Sequence, residues 1–192
     1  MPSGARSEPT ATASRLPSGS PASAPAGQSS RYWQRGCALK SGLCYRFWAA
    51  GQPETLEVIQ WVARSIPGCE RGWDKSVTMD VRRDGKRVGA VVYHDYNPEA
   101  ETMCMSAAGS DGWLTRPVLY AMHAYVFDDA ACQLAVLQVA EDNHLMRSIA
   151  KRYGYEEFRI PRLRGRDRAE MIMTLTEETW RASRFTRSIT HG

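Results

Sequence analysis

The sequence predicts an α/β fold: a mixed central sheet with helices on both faces, preceded by a disordered N-terminal tail. Three observations carry this. Short alternating or apolar segments bounded by turn residues recur along the chain, amphipathic helical periodicity separates several of them, and residues 1–30 hold almost no large apolar side chains. The resulting order is β-α-β-β-β-α-β-α-β-β, closed by a short helix.

Residues 1–30 are dominated by Ala, Ser, Pro and Gly, and beyond Met1 their only large apolar side chain is Leu16. Such a segment cannot bury enough surface to offset its ordering entropy, so it is expected to be a disordered tail, with residues 31–192 forming one domain. The chain has 192 residues, with 43% hydrophobic and 24% charged, ordinary values for a globular protein. A net charge of +4 suits anionic ligands but is too small to imply nucleic acid by itself. The cysteines, Cys37, Cys44, Cys69, Cys104 and Cys132, are odd in number and lack CxxC spacing. They argue against a disulfide framework and a zinc site, no metal is assigned, and a reducing cytoplasm is the expected location. No apolar run approaches the ~18 residues of a membrane span, and the N-terminus lacks the apolar core of a secretory signal.

Residues 44–48 alternate and are rich in aromatics, as a first strand does. Pro53 opens a helix to about Ile66, with Leu56, Ile59, Val62 and Ile66 as its apolar stripe, and Pro67-Gly68 ends it. Segments 76–82 and 87–94 form a hairpin around Arg83-Asp84-Gly85-Lys86. Residues 101–107 are the next strand. After a polar turn, Val118, Ala121, Met122 and Tyr125 mark the buried face of a helix. Residues 134–139 make a strand, Asp142 or Asn143 caps a further helix, and Gly154 ends it. Two last strands, 156–160 and 170–176, flank an arginine-rich link, and a terminal helix runs over 176–184.

Everything is organised around 112–155, where a turn, helix, strand and capped helix follow one another. A helix N-terminus there offers free N–H groups and a positive dipole end, which suit a phosphate. At this point the residues resemble a family. The run Asn143 to Tyr155 (NHLMRSIAKRYGY), after hairpin, strand, turn, helix and strand, resembles the GNAT N-acetyltransferase fold. The stretch from Arg166 through Glu170 to Trp180 is similar to the closing strand of the ribosomal-protein acetyltransferase branch. The turn Trp113-Leu114-Thr115-Arg116 resembles GNAT-like proteins of phages and prophages.

The resemblance implies acetyl-CoA as cofactor, held where two central strands diverge, and direct transfer of its acetyl group to an amine: a small molecule, a peptide or a modified base. It implies that Met103, Cys104, Met105 and Ser106 offer backbone groups to the pantetheine arm. Gly112, Trp113, Leu114, Thr115, Arg116, Pro117 and Val118 would cradle the pyrophosphate, and Asn143 and Arg147 would flank the arm and the adenosine end. The family's turn usually carries glycines; this one has none between Trp113 and Val118, and Pro117 lacks an N–H. The position of the family's tyrosine acid is Ala150, which leaves Tyr153 as the substitute. These departures motivate an alternative: a GNAT-fold protein without acetyl transfer that serves in binding or nucleic-acid modification.

Individual residues carry two readings each. Glu101 is a base at the cleft or a solvated strand-end carboxylate. His94, at the end of its strand, deprotonates an amine or is a turn histidine. Cys104 reads as a packed thiol rather than a nucleophile. Trp113 packs under the cofactor or wedges the helix against the sheet. The link holding Arg159, Arg162, Arg164, Arg166 and Arg168 is a solvated loop or faces phosphates, an acidic substrate or nucleic acid.

Overall fold

The computed structural model describes residues 42–186, so the expected disordered tail and its boundary near residue 30 lie outside the described residues. Seven strands form one sheet: β1 (Leu43–Trp48), β2 (Val77–Arg83), β3 (Lys86–Asn97), β4 (Thr102–Gly109), β5 (Leu134–Ala140), β6 (Glu156–Ile160) and β7 (Glu170–Thr176). Their order is β1-β2-β3-β4-β5-β7-β6. Neighbours are antiparallel except β4 and β5, which run parallel. The β2–β3 turn has Asp84 and Gly85 at φ 50° and 77°, the left-handed pair a two-residue hairpin needs.

Helix α1 (Pro53–Ser65) covers one face, packing Val58, Ile59 and Val62 on Ala90 and Val92. The predicted stripe requires correction here. Leu56 is exposed, and the buried face is Thr55, Val58, Ile59, Val62 and Ala63. Successive i+3 steps drift around the helix, so Leu56 and Ile59 cannot both stay central on one face.

Helices α2 (Arg116–Ala124), α3 (His144–Tyr153) and α4 (Glu177–Ala182) serve the opposite face, where Val118, Ala121, Met122, Tyr153 and Trp180 join the main core. A π turn, Tyr125–Asp129, extends α2 and buries Val126 and Phe127. The core also takes in His123, which the sequence reading passed over. Its Nδ1–H donates to the Leu119 carbonyl at 2.8 Å and its Nε2 accepts from the Tyr155 hydroxyl at 2.7 Å. Burial pulls its pKa down to about 4, so it is a neutral core histidine.

Candidate active site

Parallel pairing of β4 with β5 lasts only four residue pairs, from Thr102↔Leu134 to Met105↔Leu137. Beyond them β4 continues to Gly109 and β5 to Ala140 without pairing to each other. The two strands therefore leave an aperture at their carboxyl ends, edged by residues 106–109. Because the strands are parallel, the N-termini of α2 and α3, which follow them, lie at this same end. Of the four residues expected to offer backbone groups, Met103, Cys104 and Met105 sit within the paired stretch, and Ser106 begins the open one. Met103 and Met105 bury their side chains in the main core; Cys104 and Ser106 point to the α1 face and are half-buried.

Beside the start of the aperture, on β3 opposite Cys104, lies His94, 7% exposed. Its Nε2 lies 3.0 Å from Ser106 Oγ and its Nδ1 2.9 Å from an Asp95 oxygen. Adjacent strand residues normally face opposite ways. A β-bulge between His94 and Asn97, with Asp95 at φ 50°, turns the Asp95 carboxylate back onto His94. Trp73, in the loop after α1, stacks on the ring at 5.1 Å and 24°. Burial holds the His94 pKa below its ordinary 6.5 against the opposing pull of Asp95, so the imidazole is neutral at pH 7. The carboxylate can only accept; the neutral ring thus carries its proton on Nδ1 and leaves Nε2 to accept from the Ser106 hydroxyl. Ligand atoms of His94, Asp95 and Cys104 fall within 4.8 Å of one another. With both ring nitrogens engaged, this is a hydrogen-bonded cluster rather than an open set of metal ligands.

The other expected residues fall into distinct places. Glu101 lies at the amino ends of β4 and β5, away from the aperture, exposed and with its carbonyl accepting from Gln133 N and Leu134 N. Tyr153 is buried, donates to the Leu119 carbonyl and accepts from Trp180 Nε1 at 3.2 Å. Burial pushes its phenol well above the usual range, so it holds its proton within the core. Trp113 is a wedge. Its indole lies over Gly89 and Gly109, register partners on β3 and β4, where an added Cβ would meet the ring at 2.2 and 2.3 Å. Gly112 is fixed by Arg83, which donates to its carbonyl at 3.3 Å.

Leu114 is half-buried and packs against the main core, and Val118 is fully buried in it. Thr115 precedes α2 as its N-cap, yet its hydroxyl oxygen is buried without a partner among the described residues. Arg116 and Pro117 are exposed on the first turn, with the Arg116 guanidinium over the Phe185 ring. On α3, Asn143 accepts from Met146 N at 3.1 Å as an N-cap. Arg147 grips Glu157 of β6 at 2.6 Å and donates to the Glu141 carbonyl at 2.6 Å, tying α3 to the sheet. A shallow pocket beside it is lined by His144, Arg147, Ser148 and Lys151.

Arg147 and then Lys151 hold the Glu157 pKa down to about 2. A carboxylate with a depressed folded pKa stabilises the fold above its ordinary value and loses that contribution as pH falls through the folded one. Thermal denaturation between pH 4.5 and about 2 should therefore steepen with acid in the native chain, and Glu157→Gln should flatten that dependence.

Three of the five link arginines are committed within the chain. Arg159 pairs with Glu141 at 2.5 Å, Arg164 with the buried Glu170, and Arg168 with Asp142 at 3.6 Å. Only Arg162 and Arg166 of that run have no ion pair among the described residues. Burial raises the Cys69 thiol pKa, opposed by the charge of Arg164. The residues that sequence reasoning missed are Asp95, the Ser106 side chain and Trp73. Alternation on 103–106 separates Met from Cys and Ser and would have placed Ser106 on the histidine's face. The bulge that recruits Asp95 has no local signature.

No family model matches the chain, and no curated protein is similar to it in sequence. Solved structures are similar in fold. A dodecameric spermidine N-acetyltransferase from Vibrio cholerae superposes with a TM-score of 0.59 at 13% identity, over 75% of this chain and all (100%) of that one. A single-site mutant of that enzyme gives 0.58 at 13% identity over 73% and 96%. These neighbours are GNAT acetyltransferases, and the fold is theirs.

Proposed function

We propose that this chain, which has the GNAT fold, is an acyl-CoA-dependent N-acyltransferase that moves an acetyl group to an amine. The observation that supports this most is the β4–β5 aperture whose first open residue, Ser106, is bonded to a neutral, doubly anchored histidine. The residues fit coenzyme A. The α2 N-terminus brings free N–H groups, the unpartnered Thr115 hydroxyl and the exposed Arg116 to one place, a donor set for phosphate. The basic pocket of His144, Arg147, Ser148 and Lys151 on α3 suits the adenosine end.

When bound, acetyl-CoA supplies a thioester carbonyl open to attack by an amine. The chain's own groups do the rest. The open backbone edge of 106–109 lines the arm and offers N–H groups to the developing oxyanion. His94 is the base on which the attacking amine's proton comes to rest, and Asp95 holds the ring with its proton on Nδ1 and stabilises the imidazolium. The acceptor approaches from the α1 face, on which Trp73, His94 and Ser106 lie. Its class is an amine of a small molecule, a peptide or a modified base. The free cysteines Cys44, Cys69, Cys104 and Cys132 fit a reducing cytoplasm.

Titration calorimetry and thermal unfolding with acetyl-CoA and CoA test the reading. A ligand at 100 times its dissociation constant adds about 2.7 kcal/mol, which is roughly 5–10 °C in Tm for a chain of this size. Neither heat nor stabilisation at millimolar ligand would remove coenzyme A from the account.

A further inference from the structure

His94 cannot reach an acceptor directly. One ring nitrogen is bonded to Asp95 and the other to Ser106, Trp73 covers a ring face, and the side chain is 7% exposed. Ser106 is different. It is half-buried, and it is the first β4 residue past the last β4–β5 pair, Met105↔Leu137. Its hydroxyl is the group of the cluster that borders the aperture. We propose that Ser106 is a catalytic residue that relays the acceptor's proton to His94, with Asp95 as the positioning residue that fixes the ring tautomer.

This rests on the acyltransferase reading. As the amine nitrogen bonds to the thioester carbonyl carbon, its proton passes to Ser106 Oγ while the Ser106 proton passes to His94 Nε2. The C–S bond then breaks, the thiolate leaves with the electron pair, and the proton held on His94 returns to it through Ser106 or water. Nothing is oxidised or reduced, and the serine ends as it began. The geometry resembles a serine nucleophile with its base. The relay is preferred because an amine is itself the nucleophile and needs no ester intermediate. The titratable groups facing the ring are Asp95 on β3 and Cys104 on β4; burial raises the Cys104 pKa, so that thiol is neutral at pH 7.

Two measurements test this, one independent of coenzyme A. In nitrogen-15 spectra of the full chain, His94 should carry its proton on Nδ1, and Ser106→Ala should move the Nε2 resonance. A proton on Nε2, donated to Ser106, would overturn the relay whether or not acetyl-CoA binds. In steady-state kinetics with acetyl-CoA and an accepted amine, Ser106→Ala should lower kcat about 100-fold or more. The KM for acetyl-CoA should stay within about twofold, because that variant leaves the backbone edge in place. Ser106→Thr, which keeps the hydroxyl, should recover most of the rate and shows that the chain still folds. Equal kcat in wild type and Ser106→Ala would overturn the proposal. An acetyl adduct on Ser106, seen by intact mass after mixing with acetyl-CoA alone, would overturn it in favour of a covalent route. Absence of acetyl-CoA binding with the Nδ1 tautomer intact would remove the acyltransferase reading and the relay's function together.

Discussion

Replacing His94 by Gln is expected to lower kcat for amine acetylation about 100- to 10,000-fold, the range a general base commonly contributes. Glutamine keeps the approximate reach and polarity of the ring but cannot take up a proton at neutral pH. The effect should fall on kcat rather than on the KM for acetyl-CoA, since His94 faces Ser106 and Asp95 and not the α2 or α3 N-termini. The pH profile gives the sign. Catalysis needs the neutral ring, and burial lowers the pKa from 6.5, so the His94 limb should appear as a rise in rate with pH through a value below 6.5. Asp95→Asn should move that limb, because an amide can offer Nδ1 a donor and favour the other tautomer. A His94→Gln chain that acetylates at half the native rate would remove the residue from the mechanism.

The second large effect is on stability. Gly89→Ala places a methyl 2.2 Å from the Trp113 indole, and the neighbouring Gly109 is equally closed. The ring is 8% exposed and rigid, so it cannot yield as a flexible chain end does. Overpacking of this kind costs about 1–3 kcal/mol, a Tm loss of roughly 3–10 °C. Trp113→Ala alone should cost about 3–5 kcal/mol through the cavity it leaves. The informative chain carries both changes. With the indole gone, Gly89→Ala should cost less than about 1 kcal/mol, a strongly non-additive cycle read by urea denaturation. Additive costs would show that the contact is not the reason for the glycine.

That contact also marks a limit of the sequence. The turn before α2 is expected to carry several glycines, and none stands between Trp113 and Val118. Glycines lie instead under it, on β3 and β4, where the lack of a Cβ makes room for the Trp113 indole. Nothing local ties Gly89 and Gly109 to Trp113; only the register Gly89↔Gly109 does. The elements themselves were legible because alternation and 3.6-residue periodicity are local properties: β6 and β7 match their predicted spans, and the Asp84-Gly85 turn has the backbone its residues favour. Partnerships were not legible. Arg147 and Asn143 are polar residues beside a helix start, which fits ligand contact and capping equally. The structure gives both side chains structural partners, Glu157 and the Met146 amide. The resemblance likewise offered Tyr153 as an acid, whereas its neighbours in space, Trp180 and Leu119, are far off in sequence and bury it.

The shortness of the β4–β5 pairing has a mechanical meaning. The sheet is two panels, β1 to β4 and β5 with β7 and β6, stitched edge to edge by four residue pairs. Each panel is held internally by five to seven consecutive pairs per seam. Movement of one panel against the other is thus expected to be taken up first at the parallel seam, where it would open or narrow the aperture. A molecule seated between residues 106–109 and the end of β5 would act as a second row of stitches, joining the panels into one stiff body while it stays.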